Sequence, residues 1–236
     1  MAETTTTAQS GAGIERLFGA GAHFAQVKSR RHPSMRSFVL GAKGGMEIFD
    51  LQKTDDQLAE AKTAIAALAR DGKTVLFVGG KREASDQVRE VAKRLAQPYV
   101  AGRWLGGTIS NFTEIKKRID RLADLSAKRE SGELGKIYTK LERIMIDREI
   151  DRLEERLEGI RNLAKRPDAL VIVDTKHEAH ATKEARQAGI PVIGIISSDC
   201  DLKDSAYPIV TNDASRAAIS LVLGELAQAF ESGYKG

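Results

Sequence analysis

Three short apolar runs constrain this chain more than anything else in it. They are Val75-Leu76-Phe77-Val78, Ala169-Leu170-Val171-Ile172-Val173 and Pro191-Val192-Ile193-Gly194-Ile195-Ile196. A run that is apolar at every position has no face to give to water, so it reads as a strand buried on both sides. Between and after the runs lie segments with helical spacing. Leu58, Ala61, Ile65 and Leu68 repeat between Thr54, read as N-cap, and a stop at Asp71-Gly72. A helix is expected from the Gly79-Gly80 turn to about Leu95, another over Glu178–Ala188 ended by Gly189, and a last one carrying Ala218, Ile219, Val222, Leu223 and Leu226, capped by Asn212 or Asp213. Pro98–Val100 and Pro208–Val210 add short strands. Strands alternating with helices predict an α/β fold in three layers, a parallel sheet with helices on both faces.

One segment breaks the alternation. From about Thr108 to Glu130 the pattern is helical, with Ile115, Ile119, Leu122 and Leu125 on one stripe. Ser131–Gly135 interrupts it. A second helical pattern then runs from about Tyr138 to Leu163, with Ile146, Ile150, Leu153, Leu157 and Ile160 at spacings of four and three. Two charged helices with narrow apolar seams predict an antiparallel hairpin over 108–163, inserted between two strands. Its faces carry acids and bases in similar number, which suits protein contact or solvent better than nucleic acid.

The N-terminal part carries charge of one sign. From Lys28 to Lys43 there are Lys28, Arg30, Arg31, Arg36 and Lys43 and no acid. Pro33 and the neighbouring glycines predict an extended loop, followed by two short strands about Phe38–Leu40 and Met46–Phe49. Basic residues without counter-charges, beside His23, Phe24 and His32, favour a phosphate-rich partner. The net charge of the whole chain is only +4, so its distribution carries the argument. Residues 1–13 read as a disordered tail with neither signal nor transit character, the remainder to 236 as one α/β domain. A single Cys fits a reducing compartment, no apolar run approaches the ~18 residues of a membrane helix, and the cytoplasm is the default.

The enzymatic candidates lie at the strand ends, where open α/β sheets hold ligands. Gly79-Gly80-Lys81-Arg82 follows a strand and opens a helix, but lacks the earlier glycine and the Ser or Thr of a P-loop. Lys81 and Arg82 could instead meet RNA phosphate. His177-Glu178-Ala179-His180 is H-E-x-H, not the zinc spacing H-E-x-x-H. Cys200 has no local signature of a nucleophile. The stretch Gly102–Phe112 holds the only Trp, with Arg103 before it and a glycine pair after it. Trp104 reads as a core anchor in a loop and Arg103 as a stacking or phosphate-contact residue. No mechanism closes, and the profile is that of a binding protein in a larger assembly.

Several segments in order now match a known family. They include Gly21-Ala22-His23-Phe24, Phe49-Asp50-Leu51-Gln52-Lys53-Thr54, Val75–Lys81, Arg103-Trp104-Leu105-Gly106-Gly107-Thr108, Pro167–Asp174 and Tyr207-Pro208-Ile209-Val210-Thr211-Asn212-Asp213. Over about residues 14–230 the chain resembles bacterial-type small-subunit ribosomal protein two. It departs from that family's usual pattern at Ala25-Gln26, Arg31-His32 and Ser197-Ser198-Asp199. The resemblance implies a flavodoxin-like core with a protruding coiled-coil hairpin. It implies a non-enzymatic role on the small ribosomal subunit, bound to small-subunit ribosomal RNA and neighbouring proteins, including the messenger-binding ribosomal protein one. No cofactor, metal, small-molecule substrate or membrane is expected. The residues expected to face RNA are His23, Phe24, Lys28, Arg30, Arg31, Arg36, Lys43, Lys81, Arg82 and Arg103. Two other readings remain: a sugar-phosphate or nucleotide enzyme using Gly79-Gly80-Lys81, and an adaptor acting through the hairpin alone.

Overall fold

The computed structural model describes residues 12–234. The predicted tail lies mostly outside these residues; 12 and 13 already belong to helix α1, described over 12–19. Five strands, β4 (Val75–Val78), β5 (Tyr99–Val100), β6 (Ala169–Val173), β7 (Val192–Ile196) and β8 (Tyr207–Val210), pair in parallel in the order β5-β4-β6-β7-β8. Counted within this sheet the order is 2-1-3-4-5, the flavodoxin-like arrangement, whose order reverses between β4 and β6.

Side chains alternate across the sheet as strand geometry requires. Val75, Phe77, Val171, Val173, Ile193 and Ile195 point to one core, shared with Leu58 and Ile65 of α2 (Leu51–Arg70), Val88 of α3 (Ser85–Arg94) and Val222 and Leu226 of α8 (Arg216–Tyr234). Leu76, Val78, Leu170 and Ile172 point to the other, shared with α4 (Phe112–Glu130), α6 (Lys140–Leu157) and α7 (Ala179–Gln187). That is the three-layer core the apolar runs predict.

Element ends differ from the sequence reading in instructive ways. Asp50, not Thr54, caps α2, accepting from the Gln52 N–H at 3.2 Å. Thr54 sits one turn in and donates its hydroxyl to the Val210 carbonyl at 2.7 Å, tying α2 to β8. Ser215, rather than Asn212 or Asp213, caps α8 by accepting from Ala218 N–H. Helix α4 begins at Phe112, because 106–111 are held as turns by partners far along the chain.

Helices α4 and α6, with the short α5 (Leu134–Ile137) between them, lie in sequence between β5 and β6. Helix α4 buries Ile115, Ile119, Leu122 and Leu125, whereas α6 buries only Ile150 and Leu157. Its first two turns leave Leu141, Ile144 and Met145 exposed. Ion pairs Arg121–Glu149 and Arg129–Glu154 link the two helices. Both pairs advance in the same direction along the two helices, whereas a strictly antiparallel register steps in opposite directions.

A small antiparallel sheet, ordered β1-β3-β2, precedes all this: β1 (Phe24–Val27), β2 (Val39–Lys43) and β3 (Met46–Phe49). Its apolar underside (Ala25 and Phe49), together with Met35 from the turn before β2, packs on Ile196, Cys200 and Val210. The His32 N–H donates to the Ser198 carbonyl at 2.7 Å and the Asn212 N–H to that of Ala22 at 3.1 Å. These contacts seat the N-terminal lobe over the carboxyl ends of β7 and β8. Among the described residues, no helix is long and apolar enough to cross a membrane.

Candidate nucleic-acid interface

The acid-free stretch 28–43 folds as two short 3-10 turns, Lys28–Arg30 and Pro33–Phe38, leading into β2. His32 caps the second turn through its ring, accepting from Ser34 N–H at 3.4 Å. Lys28, Arg30, Arg36 and Lys43 are exposed, and none has a carboxylate partner among the described residues. Arg31 is the exception. It turns inward and bonds buried Glu47 at 2.7 Å. Sequence alone could not separate Arg30 from Arg31. Their partners differ because Arg30 ends the first 3-10 turn, whereas Arg31 follows it in extended backbone, and the change of conformation sends the two side chains in different directions.

Lys81 is committed in the same way. Its ammonium lies 2.9 Å from Asp174 and 3.4 Å from Asp213, at the reversal point of the sheet. Burial works against its charge, but the two carboxylates prevail and hold its pKa above the ordinary lysine value. Asp213 is 1% exposed; burial, and then the neighbouring Asp174, push its carboxyl up to about 7. Asp174 stays below its ordinary range. Burial opposes ionisation there, yet the His177 N–H and Lys81 outweigh it. Asp174 also holds a left-handed φ of +63°, a conformation that costs a non-glycine residue energy and that its bond network maintains. Cys200 beside it is buried, and its thiol is pushed up to about 12 by burial and by Asp174.

The glycine turn after β4 is filled from within the protein. The Gly80 N–H donates to Glu178 at 2.9 Å, and a Cβ on Gly80 would collide with the Gly102 carbonyl. The groups a nucleotide phosphate would need, the turn's N–H and Lys81, are therefore already engaged. Arg82 is exposed without a carboxylate partner among the described residues.

The Gly-Arg-Trp loop after β5 is organised by a residue that the sequence reading missed. Glu184 on α7 accepts from Trp104 Nε1 (3.1 Å), from the N–H groups of Gly107 (2.8 Å), Ile109 (3.0 Å) and Ser110 (3.1 Å), and from the Ser110 hydroxyl (3.2 Å). Burial raises its pKa, but the backbone donors of Gly107, Ser110 and Ile109 prevail and keep it below the usual glutamate range. Trp104 is 7% exposed and packs in the α4–α6–α7 core, as an anchor should. Arg103, its neighbour, is exposed and without a carboxylate partner among the described residues. No local signal marks Glu184, since its partners lie 74 to 80 residues away.

Of the remaining candidates, His23 is half-buried between the rings of Phe18 and Phe24. His177 bonds Glu178 at 3.0 Å. No group of three or more potential metal ligands occurs among the described residues.

The family model described as "Ribosomal protein S2" matches residues 17–233. The chain belongs to the ribosomal protein S2 family. It is similar to the small ribosomal subunit protein uS2 of Coprothermobacter proteolyticus, 39% identical over 94% of this chain and 83% of the relative. It is similar also to that of Kocuria rhizophila, 38% identical over 93% and 77%, and that of Clavibacter michiganensis subsp. michiganensis, 40% identical over 93% and 70%. The S2 match spans both sheets, the intervening helices α4–α6, Glu184 and every basic residue singled out above.

Proposed function

We propose that this protein is a non-enzymatic structural constituent of the small ribosomal subunit that binds small-subunit ribosomal RNA in the cytoplasm. The observation that carries the reading is the acid-free stretch 28–43, with Lys28, Arg30, Arg36 and Lys43 exposed and without carboxylate partners among the described residues. Cations left without protein partners are what a phosphate backbone requires. Arg82 and Arg103 extend the set, and His23 and Phe24 supply rings to the same lobe. In this reading Arg31 and Lys81 act indirectly, by fixing the loops that carry their neighbours.

The segment 108–163 acts as a projecting coiled-coil hairpin that helps dock neighbouring ribosomal proteins, among them the messenger-binding protein one. The exposed Leu141, Ile144 and Met145 on the first two turns of α6 support this. Sucrose-gradient sedimentation at moderate salt tests the whole reading. The protein is expected to travel with small subunits; finding it entirely in the free fractions would sink the proposal.

A further inference from the structure

Phe18, on the last turn of α1, is 61% exposed. Its ring lies nearly parallel to that of His23, with centroids 4.4 Å apart and 14° between the planes. His23 meets Phe24 at 4.0 Å, tilted by 40°, and Phe24 is itself exposed. The three rings form a short ladder whose outer rung is open to solvent. Next to it, the Cα of Gly19 faces open space. The His23 Nδ1 is buried without a hydrogen-bond partner among the described residues, so ring contacts hold this imidazole more than polar bonds do.

Single exposed apolar residues are common and need no explanation. This one differs in its surroundings. Strand β1 carries the chain about 13 Å from Phe24 to Lys28. There Lys28 and Arg30 stand exposed without carboxylate partners among the described residues. A flat ring face with free cations farther along the same strand suits single-stranded RNA, where a base stacks and phosphates nearby in the strand meet the cations.

We propose that Phe18 is a stacking platform for one unpaired base of the RNA, with Lys28 and Arg30 taking the flanking phosphates. The proposal rests on the RNA-binding reading above. The test uses the full chain and a single-stranded hexaribonucleotide with 2-aminopurine at its centre, whose fluorescence falls when the base stacks. The wild type should bind and quench. Phe18→Leu keeps apolar bulk at an exposed position; it should weaken binding at least about five-fold and abolish most quenching, and Phe18→Trp should restore both. Wild-type affinity and quenching in Phe18→Leu would overturn the platform. So would unchanged oligonucleotide binding combined with loss of Phe18→Leu from small subunits, since the ring would then face a neighbouring protein. A Lys28→Ala/Arg30→Ala variant separates the two levels. If it too binds the oligonucleotide normally, the RNA-binding reading of this lobe fails; if it alone binds weakly, only the platform fails.

Discussion

The loop after β5 and the loop after β1 each carry arginine and no acid of their own, and the protein treats them in opposite ways. In 101–111 the polar groups are gathered onto Glu184, which reaches in from α7 and accepts five hydrogen bonds. In 28–38 Arg31 bonds Glu47 and the His32 ring lies 3.9 Å from Asp201, while Lys28, Arg30 and Arg36 have no carboxylate partner among the described residues. A closed loop of this kind gives rigidity and a fixed exit direction for α4. An open one keeps cations hydrated and available, which costs the free protein little and leaves their charge for a partner. The strand ends at β4 and β6 belong with the closed type, since Lys81, Asp174 and Asp213 answer one another and Glu178 takes the Gly80 N–H.

The largest break in this contrast should come from Glu184→Ala. Three backbone N–H groups and the Trp104 indole would lose their acceptor together, which should cost on the order of 4 kcal/mol. Chemical denaturation followed by the fluorescence of Trp104, the only Trp, reads this directly. An unchanged midpoint would mean the loop stands without its carboxylate. Because the folded Glu184 pKa is lowered, its contribution is present above the unfolded glutamate value and is lost as pH falls through the folded one.

A smaller and sharper test sets Arg31→Ala against Arg30→Ala. The first leaves the buried Glu47 carboxylate unpaired and should lower stability by about 2 kcal/mol, while the salt dependence of RNA association stays put. The second should leave stability within ~0.5 kcal/mol and reduce the salt slope of RNA association by about 1. Swapped outcomes would reverse the assignment of closed and open.

A test of a different kind, read through pH, concerns Asp213, whose folded pKa is raised to about 7 from 3.8. The folded state holds a proton that the unfolded state has released, so stability falls as pH rises from about 4 through about 7. Asp213→Asn should flatten that part of the pH profile, as read by thermal melts across it. A profile identical to the wild type would place the titration elsewhere.

Much of the architecture was legible. Runs apolar at every position announced the buried strands, and Leu58–Ile65 and Ala218–Leu226 announced helices on the faces, because periodicity is a local property of the chain. Strand β1 was not legible, since Phe24–Val27 is short and its partner, Met46–Ile48, lies across a loop. The caps were misplaced for a related reason: Thr54 looks like a cap but its hydroxyl is drawn to Val210. The acid-free stretch was visible as a set of five bases, without any mark to say which of them the protein would use itself.

By itself, then, the sequence determined the layers, the parallel sheet and the sign of the N-terminal charge, all of which depend on residues within a few positions of one another. The tertiary structure alone decided which charges remain free. Arg30 and Arg31, or Lys81 and Arg82, are neighbours in the chain. Glu47, Asp174, Asp213 and Glu184 reach their partners only when the fold brings distant segments into hydrogen-bonding distance, and short-range electrostatics acts on that distance, not on separation along the chain.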